Sequence, residues 1–145
     1  MANDLRITDA VANAIMDALH TALGDSGILR LYTGGLSAGT PATPAGTLLA
    51  ELTMNATSFG NAAASTLYSR IGANAITADS SANASGDAAC FVLFDSAGTT
   101  AKLAGTVGTS GCDMTIDNVT IAAGATVSGT GSPPMYIQIP KGWSS

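Results

Sequence analysis

The chain has 145 residues, of which 46% are hydrophobic and only 10% are charged, whereas charged residues make up about a quarter of an ordinary soluble domain. This length predicts a single domain over residues 1–145 and leaves no room for separate cofactor and substrate domains. The net charge of −5 and the scattering of the five basic residues argue against nucleic-acid binding. The lack of a run of about 18 apolar residues argues against a membrane span.

The scarcity of charge is the first indication of function. The chain has two lysines and one glutamate, and these residue types normally keep monomers soluble and stop sheet edges from pairing. The composition therefore favours a protein that assembles with other chains. The first six residues form neither a basic nor an apolar leader, so we expect synthesis in a cytoplasm with Cys90 and Cys112 as free thiols, although the two could also pair across a sheet.

Residues 8–23 predict one amphipathic helix. Thr8 or Asp9 is a suitable N-cap, and Gly24 is a typical stop. The helix is expected to carry one apolar stripe, formed by Val11, Ile15, Ala18, Leu19 and Ala22, and an opposite polar side, formed by Asn13, Asp17 and His20. The stripe is expected to pack either on the chain's own domain or on a neighbouring subunit.

Apolar residues alternate with a period of two after Gly24, which predicts strands over 28–32 and 47–54. In the second strand one face is expected to carry Leu48, Ala50, Leu52 and Met54. The Gly- and Pro-rich residues 34–46 between these strands predict an exposed loop that acts as a contact arm. The middle of the chain has a weaker pattern, with a helical turn or covering loop over 60–65 and strands near 65–71 and 75–79.

Residues 88–94 are apolar on both faces, which predicts a central strand that is covered on both sides. A turn then leads into 101–107 and completes a hairpin. The last predicted strand, 135–139, alternates inward Met135, Ile137 and Ile139 with outward Tyr136 and Gln138. Further short strands are predicted over 114–117, 119–122 and 125–128, and residues 141–145 are expected to form a C-terminal tail.

These elements together predict a mostly β fold. The expected architecture is an antiparallel β-sandwich or jelly roll of about 8–10 short strands over 27–140, with one N-terminal α-helix. No helical pattern recurs between the strands, and this excludes a parallel α/β fold.

Patterns associated with catalysis lack the context that the chemistry requires. Gly35–Gly39 matches the G-x-S-x-G nucleophile elbow, but no helix follows it and the sole histidine, His20, lies upstream. The glycines of 105–111 precede a strand instead of a helix with free N-terminal amides. Asp113 and Asp117 would lie about 13 Å apart along a strand, too far to share an ion. The sequence therefore predicts no enzyme, no cofactor and no metal site.

Three segments carry a resemblance to a known group of proteins. They are the helical residues 4–23, the pattern Gly27-Ile-Leu-Arg-Leu-Tyr-Thr-Gly34 followed by Gly46-Thr-Leu-Leu-Ala50, and the stretch 105–128. These segments resemble small head decoration (cement) proteins of tailed bacteriophages with HK97-type capsids. Residues 131–135 and 141–145 depart from that pattern.

The resemblance implies a virion protein made in the host bacterial cytoplasm and placed on the outer capsid surface. Such a protein is a dimer or trimer, binds the major capsid protein and stabilises contacts between capsomers. The expected interface residues lie on the helix, the 34–46 loop and the C-terminal segment, and they are Val11, Ile15, Leu19, Leu36, Pro41, Pro44, Tyr136 and Trp143. The alternatives are a tail- or fibre-associated virion protein and a carbohydrate- or receptor-binding module.

Overall fold

The structure is a computed structural model that describes residues 4–39, 43–129 and 134–144. The chain is mostly β, with one α-helix and a curled sheet in which antiparallel pairing dominates. The prediction of a mostly β chain with one N-terminal helix is therefore confirmed.

The described residues form one helix, α1, at Asp9–Leu23 and thirteen strands. The strands are β1 (Asp4–Arg6), β2 (Ile28–Tyr32), β3 (Leu48–Met54), β4 (Ala63–Ala64), β5 (Tyr68–Gly72), β6 (Ile76–Thr77), β7 (Gly86–Asp87), β8 (Cys90–Phe94), β9 (Ala101–Gly108), β10 (Met114–Thr115), β11 (Thr120–Ile121), β12 (Tyr136–Pro140) and β13 (Gly142–Ser144).

Two sheets contain most of the paired strands. The larger has six strands in the order β10-β9-β8-β2-β3-β6, and the smaller has three in the order β12-β5-β4. Strands β1 and β13 form a separate pair, as do β11 and β7. All the pairs are antiparallel except β10 with β9, which is parallel.

The helix begins and ends where the sequence predicts. The Thr8 hydroxyl accepts a hydrogen bond from the Val11 N–H at 3.3 Å and so caps the first turn. At the other end the Gly24 N–H donates to the His20 carbonyl at 3.1 Å, and Gly24 has a φ of +79°, a conformation that favours glycine.

The helix buries a different face from the predicted stripe. The buried residues are Ala12, Met16 and Leu23, whereas Val11 and Ile15 are exposed. Both sets follow the helical spacing, and they lie on adjacent faces of the same helix. The helix packs against β5 with the face that carries the long, flexible Met16, and this leaves the two β-branched side chains outside the core.

The predicted polar side of the helix also takes part in packing. The Asn13 Oδ1 accepts a hydrogen bond of 2.7 Å from the Ser69 hydroxyl, and Ser69 is fully buried on β5. The Asp17 Oδ1 accepts the Ala62 N–H at 2.8 Å. The expectation that these side chains face away from the domain is therefore wrong, because each satisfies a polar group of the small sheet or its leading loop.

The central strand and its hairpin are confirmed. Strand β8 lies between β9 and β2, and its residues Cys90–Leu93 are all buried. Strand β9 returns antiparallel to it with Leu93 opposite Leu103. The predicted strand 135–139 is also observed as β12, which alternates exposed with half-buried residues.

The structure differs from the predicted strands and tail in several places. In β3 both Leu49 and Ala50 are fully buried, because a β-bulge opposite Leu31/Tyr32 breaks the simple alternation. Only Met114–Thr115 of the predicted strand 114–117 is a strand, and residues 125–128 contribute a single bridge from Val127 to Asp79. The expected tail at 141–145 instead contains β13, which pairs with β1.

One hydrophobic cluster joins the helix to both larger sheets. Met16 and Leu23 of α1 share it with Leu29, Leu31, Leu52 and Phe91 from the six-stranded sheet and with Ile71 from the three-stranded sheet. Ile137 and Ile139 of β12 pack at its edge. Phe59, which precedes the small sheet, is the largest fully buried side chain in it.

The predicted loop at 34–46 is exposed over most of its described residues. Its two arms are held together by a bridge between Leu36 and Pro44 and by the Ser37 N–H, which donates to the Thr43 carbonyl at 3.0 Å. Pro41 lies outside the described residues. The loop is therefore a hairpin-like projection with a defined base.

Candidate functional site

Four large apolar side chains are exposed on the first half of the helix and on the segments that meet its first turn. Leu67 is 75% exposed, Leu5 64%, Val11 48% and Ile15 46%. Val11 and Ile15 are four residues apart and therefore lie on one side of α1. Single exposed apolar residues are ordinary, whereas a contiguous group of them is typical of a surface that a partner covers. We call these four residues the helix-start patch.

Lys141 brings the segments of this patch together. Its carbonyl accepts the Ile7 N–H at 2.9 Å, and its own N–H donates to the Leu67 carbonyl at 2.9 Å. Its ammonium group forms an ion pair with Asp9 in the first turn of the helix. The strand before the helix and the helix start thus meet the turn before β5, which lies about sixty residues further along the chain.

A second candidate surface lies on the outer face of the three-stranded sheet. Tyr68 and Arg70 alternate along β5 with the buried Ser69 and Ile71. The guanidinium carbon of Arg70 lies 4.4 Å from the ring centroid of Tyr136 and 5.5 Å from that of Tyr68. These distances are typical of cation–π contacts. We call the three side chains the Tyr–Arg–Tyr face.

The structure places the predicted interface residues in several environments. Val11 and Ile15 belong to the helix-start patch and Tyr136 to the Tyr–Arg–Tyr face. Leu19 packs against the core, and Leu36 and Pro44 are half-buried at the base of the loop. For Trp143 the structure gives only the backbone, which pairs with Leu5.

Four contributors were missed by the sequence analysis: Leu5, Leu67, Tyr68 and Arg70. A lone leucine flanked by Thr66 and Tyr68 offers no periodic signal, because its exposure depends on a turn and not on alternation. The stacking of Arg70 depends on the antiparallel register of β5 with β12, in which Gln138 lies opposite Arg70. No local pattern specifies that register.

The patterns considered for catalysis form no site in the described residues. Ser37 of the G-x-S-x-G pattern lies in the exposed loop, and its hydroxyl donates to the Thr43 carbonyl at 2.8 Å. No group of three or more His, Cys, Asp or Glu side chains is placed to hold a metal ion in residues 4–39, 43–129 and 134–144. Cys90 and Cys112 are free, and burial raises the pKa of the Cys90 thiol.

The carboxylate of Asp113 forms hydrogen bonds with Thr106 that hold a turn together. Its Oδ2 accepts hydrogen bonds from the Thr106 N–H at 2.9 Å and from the Thr106 hydroxyl at 2.8 Å. These bonds to Thr106 hold the pKa of the carboxyl below its ordinary value of 3.8. The carboxylate thus fastens the turn between β9 and β10, which are the parallel pair of the sheet.

A cleft of about 730 Å³ is lined by residues of the six-stranded sheet and of β12. Its lining includes the buried Leu29, Leu31 and Phe91, and also the exposed carboxylates of Asp113 and Asp117. Its described lining also contains Thr115, Ser128 and Gln138, so the cleft combines apolar and polar side chains.

Comparison with known proteins gives no relative. No protein-family model, no curated protein and no solved structure matches the chain. Among the described residues, no helix has the length and apolar character needed to cross a membrane.

Proposed function

We propose that the chain is a non-enzymatic capsid decoration protein, which binds the outer surface of a tailed-phage capsid and stabilises contacts between capsomers. The observation that carries this proposal is the helix-start patch, in which four large apolar side chains are left to solvent in the isolated chain. The resemblance of residues 4–23, 27–34, 46–50 and 105–128 to cement proteins supplies the partner, the major capsid protein.

The low charge of the chain supports the same proposal. A cement protein gains its effect from many copies, each of which makes a weak contact, and an apolar patch within a neutral surface suits repeated contacts of this kind. The net charge of −5 suits a protein on the outside of a shell filled with DNA. We propose, on the same grounds, that the chain assembles as a dimer or trimer and that its two larger sheets form a sandwich.

The proposal is tested by counting copies. Mass spectrometry of purified, tail-less heads from the phage that encodes the chain should find it at a copy number comparable with that of the major capsid protein. Absence from heads would refute the proposal. Presence in tails or fibres at a few copies per particle would favour the alternative role of a tail-associated protein.

The cement mechanism has its own test. Heads that carry the protein should release their DNA at a higher temperature than heads that lack it. Adding back Ile15→Asp or Leu67→Asp protein should not restore the difference, because each change places a charge at an apolar contact. Thr109→Asp, a matched change at an exposed residue between β9 and β10, should restore it fully.

A further inference from the structure

We propose that the Tyr–Arg–Tyr face is a second docking surface, and that Arg70 binds a carboxylate group on the surface of a partner protein. This inference rests on the proposed function only in taking that partner to be the capsid protein. The juxtaposition that carries it is an arginine held between two tyrosine rings on a sheet face with no acidic residue among the described ones.

The registers of the small sheet define this face. Arg70 of β5 lies opposite Gln138 of β12 on one side and opposite Ala63 of β4 on the other. Tyr68 lies opposite Pro140. Because side chains directly opposite each other share a face, the residues around Arg70 are neutral, and most of them are exposed.

Two other cations in the described residues, Arg30 and Lys141, have a carboxylate partner within the chain. The Arg30 Nε donates to the Glu51 carboxylate at 2.6 Å, and its Nη1 donates to the Gly98 carbonyl at 3.0 Å. The Lys141 ammonium group forms an ion pair with the Asp9 carboxylate. Arg30 also lies over a ring, that of Phe94, at 4.7 Å, so stacking on a ring does not exclude an ion pair.

Arg70 contacts aromatic rings as Arg30 does, but no carboxylate of the described residues pairs with it. Within the described part of the chain, its contacts are the two tyrosine rings. A guanidinium that stacks by its faces keeps its edge N–H groups for hydrogen bonds, and the two rings restrict its motion before any ligand arrives. The N–H fork of arginine matches a carboxylate in bidentate geometry. The face is therefore prepared for an anion that the described residues do not supply.

The same geometry argues against a sugar as the ligand. A sugar-binding platform stacks the sugar on an open aromatic face. Here the guanidinium of Arg70 lies 4.4 Å from the centre of the Tyr136 ring and occupies one of its two faces. Tyrosine and arginine are also the residue types that dominate binding energy in protein interfaces. The favoured partner is thus an acidic protein surface.

The direct test uses the full-length chain labelled with ¹⁵N-arginine, which gives three side-chain Nε–H signals by NMR, from Arg6, Arg30 and Arg70. A synthetic peptide of alternating Glu and Gly is the probe, and the same peptide with Gln in place of Glu is its matched control. We expect the Glu peptide to shift the Arg70 signal further than the Gln peptide does, because only a carboxylate pairs with the guanidinium. The Arg30 signal should not move, because its donors are already bound within the chain.

Variants show whether binding of the Glu peptide requires the guanidinium group of Arg70 or only its positive charge. Arg70→Lys keeps the charge but loses the fork, and it should weaken binding of the Glu peptide about tenfold or more. Thermal unfolding shows whether this variant keeps the fold, and the wild-type titration decides the proposal if it does not. An equal response to the Glu and Gln peptides would overturn the proposal. So would tighter binding of oligoglucuronate than of the Glu peptide, which would favour a sugar-binding module.

A second measurement separates this proposal from the proposed function. If the chain is absent from heads and the Glu peptide still shifts the Arg70 signal, the docking surface stands and the capsid role fails. If Arg70→Lys binds heads as tightly as the wild type, while Ile15→Asp does not bind, the capsid role stands and the docking surface is overturned.

Discussion

Ile15 and Met16 are adjacent on α1, but one is 46% exposed and the other is fully buried. The structure therefore predicts that truncating them to alanine has opposite consequences for the isolated chain and for the assembly. Met16→Ala should damage the fold, whereas Ile15→Ala should mainly damage contact with the partner. The pair is well matched, because both changes remove several carbon atoms from the same turn of one helix.

The magnitudes follow from burial. Truncating a fully buried methionine to alanine removes its transfer free energy and leaves a cavity, which costs about 2–5 kcal/mol. Ile15 has about half of its side chain in contact with its own chain, so its truncation removes about 1 kcal/mol of burial. The better helix propensity of alanine offsets a few tenths of a kcal/mol of that loss. The expected net destabilisation by Ile15→Ala is about 0.5–1 kcal/mol.

Thermal unfolding of the isolated protein measures the first effect, and binding of each variant to heads that lack the protein measures the second. Met16→Ala should lower the melting temperature by roughly 5–20 °C, and Ile15→Ala by only a few degrees. Ile15→Ala should also weaken head binding by about fivefold per contact, because the exposed half of the side chain is then no longer buried by the partner. Equal destabilisation by the two variants would refute the assignment of Ile15 to an outer face.

Two further predictions concern the loop and the turn. Gly46→Ala should destabilise the chain by about 2 kcal/mol or more in urea unfolding, because a Cβ there would lie 1.5 Å from the Thr33 carbonyl oxygen. Gly35→Ala in the same loop meets nothing within 4 Å and should change stability by less than about 0.5 kcal/mol. Asp113→Asn should destabilise the chain at pH 7, and the gap to the wild type should close as the pH falls below the ordinary carboxyl value of 3.8. The sign follows from linkage: a carboxyl whose pKa is lowered in the folded state stabilises the fold above its unfolded pKa, and it loses that effect as the pH falls through its folded pKa. A gap that stays the same size from pH 7 down to acidic pH would contradict the role given to the Thr106 hydrogen bonds.

Local sequence patterns predict the elements whose causes are local. The cap at Thr8 and the stop at Gly24 fix the bounds of α1. The apolar run in β8 identifies a strand that is buried on both faces. The alternation of inward and outward residues around Ile137 also predicts β12 correctly. In each case the signal lies within a few residues, so the backbone conformation follows from neighbouring side chains alone.

The functional surfaces were less predictable. Tyr136, Val11 and Ile15 were expected at an interface and are exposed, but their neighbours on the two surfaces were not foreseen. Leu67 comes to lie near the helix start through the backbone of Lys141, which is more than seventy residues away in the chain. Contacts of this range depend on strand register, and a single sequence carries little information on register.

The sequence by itself determined that this chain is mostly β, that one helix opens it, and that charged residues are scarce on it. Only the tertiary structure decided which face of the helix is buried, that β1 pairs with β13, and that Arg70 lies between two tyrosines. The physical reason is that composition and periodicity act residue by residue, whereas burial and ring stacking depend on which distant strands meet.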